Sequence, residues 1–181
     1  MIDLTSPDAL SDDELVEAVS TVLAIDRTLD NSFVLHAPLE LLARADLLAA
    51  VGDDARAGAR ARLVSMAEIH AASGEPIALP AAGQVDEAGL LEAIEAGDVE
   101  RADELAMAAV ARHSADEVSD LLAARTLRSA AAAAHAPILF GNWARTAAQR
   151  PVDPRFVRGI VRRLAAGAGL RFELPHPNDQ R

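Results

Sequence analysis

Apolar residues recur along this chain at the three- and four-residue spacing of helices, and nowhere alternate with the two-residue period of a half-buried strand. The pattern predicts an all-α fold. Ser11 followed by Glu14 forms a capping-box signature, and Leu15, Val16, Val19, Val22 and Leu23 then line one face, giving a first helix over about residues 12–28. Asp30, Asn31 and Ser32 are alternative caps for a second helix over about 33–51, with Pro38 inside it and Gly52 ending it. A third runs from Asp53 or Asp54 to before Gly74 and carries Leu63, Val64, Met66, Ala67 and Ile69. The stretch 74–85, with Pro76, Pro80 and Gly83, reads as a surface loop and a candidate hinge. Two short helices, 86–96 and 98–113, join at Gly97-Asp98. Ser114 and Glu117 form a second capping box that opens the longest helical stretch, to about residue 149, interrupted by Pro137. Pro151 and Pro154 bracket a last helix ending near Gly167, and 1–10 and 170–181 read as flexible or docked tails. The expectation is one domain spanning 1–181, a bundle of seven or eight helices with two proline-kinked central helices.

Composition narrows the chemistry. Of 181 residues, 41 are alanine, all 17 basic residues are arginine, and lysine, cysteine and tyrosine are absent. Thiol catalysis, disulfide scaffolding and cysteine-ligated metal are therefore excluded. The net charge of -11 argues against broad nucleic-acid binding. That charge is unevenly spread: residues 1–124 hold 7 arginines against 25 carboxylates, and residues 125–181 hold 10 against 3. The arginines at 155, 158, 162 and 163 give the last helix a basic face, expected to dock on the acidic remainder. The first ten residues lack a basic and apolar leader, and no apolar run reaches the roughly 20 residues of a membrane span, so a cytoplasmic location is expected.

One tripeptide occurs twice, 99 positions apart: His36-Ala37-Pro38 before Leu39, and His135-Ala136-Pro137 before Ile138. Proline inside a helix removes a backbone hydrogen bond and frees the carbonyl four residues earlier, here Val34 and Ala133. A neighbouring histidine can either satisfy such a carbonyl or present a titratable ring to a cavity. The stretch Asn31-Ser32-Phe33-Val34-Leu35-His36-Ala37-Pro38-Leu39-Glu40, the following Leu41-Leu42-Ala43-Arg44, and the alanine-rich approach to His135 resemble the questin oxidase-like proteins over about residues 31–149. Members of that family open an anthraquinone ring in a Baeyer–Villiger-like oxidation using NADPH and oxygen. The chain is roughly half the family's usual length, Leu35 stands where the family often has Asn, and no further histidine pair follows. The resemblance implies His36 and His135 as site positions, NADPH as a cofactor and, from the short chain, a homodimer that completes the site.

Other residues offer chemistry by position. His36 and Glu40 are four apart and share a helical face, which permits a joint metal site. The Glu-x-x-His pairs of a carboxylate-bridged di-iron bundle occur only as Glu173 to His176, in the proline-broken tail, and no metal site is expected. On one regular helix Arg128, His135 and Asn142 recur every seven residues and form a polar strip. Arginine would contact an anion or carbonyl there, and histidine would act as acid or base. The run 130–134 has no bulk, which suits either ligand entry or close helix approach. Phe140 and Trp143 either pack in the core or line an apolar pocket. The expected function is an enzyme of specialised metabolism acting on a hydrophobic cyclic or aromatic, polyketide-like substrate. His36 and His135 would be catalytic; Arg128, Asn142, Glu40 and Trp143 would bind substrate. The reaction is oxygenation by resemblance, or a cofactor-independent cyclisation or rearrangement on the residues themselves. The alternative is a non-catalytic helical interaction or partner-subunit protein with structural histidines.

Overall fold

Five of the eight α-helix starts among the described residues fall where a side chain takes up an orphan amide of the first turn. In the computed structural model, which describes residues 7–29, 31–81, 83–129 and 134–169, a short 3-10 turn at Pro7–Ala9 precedes the first cap. The Ser11 hydroxyl accepts from the Glu14 amide at 3.3 Å, and the Glu14 carboxylate accepts from the Ser11 amide at 2.7 Å, opening α1 (Asp12–Leu23). Asn31 Oδ1 accepts from the Val34 amide at 2.8 Å and opens α2 (Ser32–Leu48). After Gly52, α3 (Asp53–Ala71) starts without a side-chain cap. Asp86 caps α4 (Glu87–Ala96), which Gly97 ends in the left-handed conformation at φ 75°, and Asp98 caps α5 (Val99–Val110). The second capping box, Ser114 with Glu117, opens α6 (Ala115–Thr126). Two more helices follow, α7 (His135–Ala147) and α8 (Phe156–Ala166). The described residues form an all-α bundle of eight helices with no strand; an isolated bridge pairs Arg27 with Pro76.

The long helical stretch expected over 115–149 is two helices. α6 stops at Thr126, and Leu127 and Arg128 lie in a turn beyond it. Pro137 is the third residue of α7, where an amide has no partner within the helix, so proline fits without a kink. Among the described residues Pro38 alone stands beyond the first turn of an α-helix, and it removes the amide that would otherwise bond the Val34 carbonyl. The several helices expected to run longer, the first, second and fifth among them, end two to five residues sooner, each in an ordinary right-handed cap. Residues 130–133 and 170–181 lie outside the described residues, and so do the alanine run before Ala134 and the Glu173 to His176 spacing.

Helix α5 packs on α8 and α4, α1 on α3 and α2, and α7 on α2, α6 and α8. One continuous core results, with Leu15, Leu41, Leu42, Leu63, Met66, Leu122, Trp143, Phe156 and Ile160 all almost wholly buried. Each such side chain contributes about 1.5–3 kcal/mol of burial. Alanines such as Ala37, Ala45, Ala102, Ala106 and Ala136 fill the remaining helix contacts and let the axes approach.

The basic last helix sits on acidic partners. Arg158, wholly buried, donates to both carboxylate oxygens of Asp103 on α5 at 2.6 and 2.8 Å. It also donates to the carbonyls of Ile77 and Ala78 at 3.0 and 2.7 Å, which pins the 74–85 segment to the bundle. Arg162 adds a bond to Asp103 at 2.7 Å, and Asp26 faces Arg162 and Arg163 at 3.7 and 3.8 Å.

Candidate functional site

The two histidines of the repeated tripeptide meet. His36 projects from the second turn of α2 and His135 is the first residue of α7, and their Nε2 atoms are 3.0 Å apart. The ring centres are 4.8 Å apart with the planes at 85°. His36 Nδ1 lies 2.6 Å from the carbonyl oxygen of Ser32, one turn earlier. A carbonyl can only accept, so the proton of neutral His36 is on Nδ1 and its Nε2 is an acceptor. The proton shared across the pair therefore belongs to His135 Nε2. This fixes a donor order, His135 to His36 and His36 to Ser32.

Local sequence builds this arrangement. The four-residue spacing of Ser32 and His36 carries the ring back over the first turn of α2, where carbonyls face the same side. On the other helix, Ala134 holds φ at 69°, the left-handed region, and is the one non-glycine residue to do so among the described residues. An alanine there costs about 1–2 kcal/mol. That strain sits immediately before His135, at the start of α7.

Further along, Arg145 Nε donates to Asp46 at 2.6 Å, and Thr146 Oγ1 lies within 3.3 Å of the same carboxylate. These contacts hold α2 and α7 together beyond the histidines. His36 is exposed and His135 partly so, which puts the pair at the surface seam of the two helices.

The other expected site residues go elsewhere. Glu40 commits its carboxylate to Arg44 at 2.7 Å and to Arg62 at 3.0 Å, so it forms no joint site with His36. Partial burial pushes its carboxyl up, but the hydrogen bonds from Arg44 and Arg62 and their charges outweigh this and hold it below the ordinary carboxylate range. Asn142 Oδ1 accepts from Arg145 at 3.2 Å on the flank of α7. Trp143 is 1% exposed, 6.4 Å from Phe140 between ring centres, and belongs to the core; its indole N–H has no protein partner.

Arg128 lies in the turn after α6, off the axis of α7, so it shares no helical strip with His135 and Asn142. With Arg125, Ser129 and Leu164 it lines a cleft of about 50 Å³, which neither histidine borders. Small-molecule pockets typically run to about 300–1,000 Å³, so this cleft takes little more than a few waters. The remaining histidines stand apart: His113 is 3.1 Å from Glu87, and His70 is buried near Arg27 and Arg163.

No family model matches this chain, and neither does any curated protein or solved structure with which it was compared. Sequence spacing found the two histidines and left the cap of α2 among Asp30, Asn31 and Ser32, of which Asn31 caps it. It missed the Asp46 to Arg145 pair, although that pair carries the same 99-residue offset as the histidines.

Proposed function

We propose that the His36–His135 pair is the reactive centre of an enzyme of specialised metabolism and that it moves protons on a hydrophobic cyclic or aromatic carbonyl substrate. The observation that supports this is the convergence of two titratable rings, 99 residues apart in sequence, on one hydrogen bond of 3.0 Å. Their donor order is set by the Ser32 carbonyl. When a substrate takes the place of the His135 N–H, His36 Nε2 can accept a proton from a substrate carbon and, as the imidazolium so formed, return one to a substrate oxygen, which is the chemistry of a cyclisation or rearrangement. The substrate meets the pair at the α2–α7 seam, with exposed Ile138 one turn along α7 offering apolar contact. Oxygenation with NADPH rests on the family resemblance alone, and Arg128 would serve only a substrate long enough to reach its cleft.

A second reading has its own support. The same two helices are joined by Arg145 with Asp46, and the core beside them is filled by Trp143 and Phe140. On that reading the histidines are an interhelical bond in a non-catalytic interaction protein.

The test is incubation of the purified protein with hydroxyanthraquinones and with linear poly-β-carbonyl compounds, with and without NADPH, followed by mass spectrometry. Conversion that disappears in His135→Ala and His36→Ala while melting and helicity persist supports the enzyme. Variants that melt early and a parent that converts nothing would sink it in favour of the second reading.

A further inference from the structure

The geometry points to a bidentate site for a divalent first-row transition ion, of the nickel, copper or zinc class, formed by Nε2 of His36 and Nε2 of His135. The inference stands on the pair's geometry alone and holds whether or not the pair is catalytic.

Imidazole nitrogen binds these ions at about 2.0–2.1 Å. Two nitrogens 3.0 Å apart and each at that distance from one ion subtend about 95° there. This is the cis angle of octahedral or square-planar coordination, which nickel and copper favour; a tetrahedral zinc ion needs the nitrogens to part by only about 0.3 Å. An ion on both ring axes at this angle would hold the ring centres about 4.7 Å apart. The observed separation is 4.8 Å. Rotation about each metal–nitrogen axis leaves ligation intact, so the 85° between planes is compatible with it.

The outer hydrogen bond is the one such a ligand needs. A metal-bound histidine usually donates its other ring N–H to a carbonyl or carboxylate, which fixes the tautomer and orients the lone pair. His36 does this already through Ser32 at 2.6 Å. On binding, His135 Nε2 gives up its proton, so both Nε2 lone pairs face the ion. Among the described residues no third His, Asp or Glu joins the pair, and Glu40 is held by two arginines. The site is therefore an exchangeable two-ligand one, with water completing the shell. An ion there cross-braces α2 and α7 and occupies both nitrogens that proton transfer would use.

Titration of tag-free protein with nickel chloride, by calorimetry and by melting, tests this. One ion should bind per chain, and the melting temperature should climb with nickel concentration. His36→Ala and His135→Ala should each abolish both effects. Binding that survives in His36→Ala would overturn the site, as would one ion per two chains with a doubling of mass. If His135→Ala does not fold, copper-induced broadening of histidine ring resonances in the unaltered protein reads the same question. Broadening of the two rings that sequential resonance assignment of the unaltered protein gives to His36 and His135 supports the site; broadening of His70, His113 or His176 instead overturns it. Failure to bind nickel leaves the enzyme reading untouched, because proton transfer needs no ion.

Discussion

Removing the carboxylate of Asp103 should damage this protein more than any other single surface-to-core change in its charge network. Asp103 is 3% exposed and its partner Arg158 is 1% exposed. In the intact protein the guanidinium gives two bonds to the carboxylate and two to the Ile77 and Ala78 carbonyls. Asp103→Ala leaves those carbonyls in place but strands a buried positive charge, at a cost of about 3–5 kcal/mol. Typical total stability is about 5–15 kcal/mol, so a large share is lost. For a chain of this size about 2–4 °C of melting temperature accompanies each kcal/mol, which predicts a fall of about 6–20 °C in a melt followed by circular dichroism. The paired replacement Asp103→Leu with Arg158→Met removes the buried pair and should recover part of that loss, because the desolvation of the pair offsets much of its attraction, while the partly exposed Arg162 loses its bond to Asp103 and keeps Asp26 at 3.7 Å. The two carbonyls then turn to water at the edge of the 74–85 segment. A fall of less than about 2 °C for Asp103→Ala would refute the anchoring role. A double variant as unstable as the single one would refute the desolvation argument.

Two further outcomes follow from single residues. His70 is buried with an unpartnered Nδ1, and burial, followed by the charges of Arg27 and Arg163, lowers its pKa from 6.5 to about 4. The folded state thus resists a proton that the unfolded chain accepts: stability is full above pH 6.5 and falls as pH drops through 6.5 toward 4, by up to about 3 kcal/mol. His70→Leu should flatten the melting temperature between pH 7 and 4 relative to the parent, and parallel curves would contradict the assignment. Ala134→Gly should raise the urea midpoint by about 1 kcal/mol equivalent by relieving the left-handed φ of 69°; a lower midpoint would show that the residue is not strained.

Where local chemistry decides, the sequence was readable. Both serine capping boxes and the Gly97 stop with its Asp98 cap stand where spacing put them, because each is settled within four residues; among the alternatives at 30–32 the cap is Asn31, and Asp86, read as a first helical residue, is the cap of α4. The last helix's attraction to acidic partners was visible as charge, though which carboxylate it met was not, since Asp103 and Asp26 are brought to α8 only by the fold. The stop of α6 at Thr126 was hidden because Leu127 and Arg128 satisfy helical propensity and offer no glycine or proline to mark the turn they form. Proline then misled: at the third position of α7 it marks a start, and in sequence the same residue inside an apolar run reads as a kink.

The repeated tripeptide carries more than a pair of candidate residues. His36 meets His135 and Asp46 meets Arg145, and both partners are 99 apart. A constant offset over ten residues means that α2 and α7 run parallel and in step for about 15 Å. Equivalent positions of the two copies therefore face each other across the seam, which is why identical histidines could find each other at all. Identity alone would serve badly at Asp46, where a second carboxylate opposite would repel; the sequence departs from repetition there and supplies Arg145. At the histidines identity is tolerated because imidazole both donates and accepts. The Ser32 carbonyl breaks the symmetry by fixing one ring's proton, and the pair becomes a directed donor and acceptor. His36→Gln would test whether direction matters as well as contact: it keeps a polar side chain at the seam but loses the proton exchange that the relay requires and the imidazole lone pair that the ion site requires.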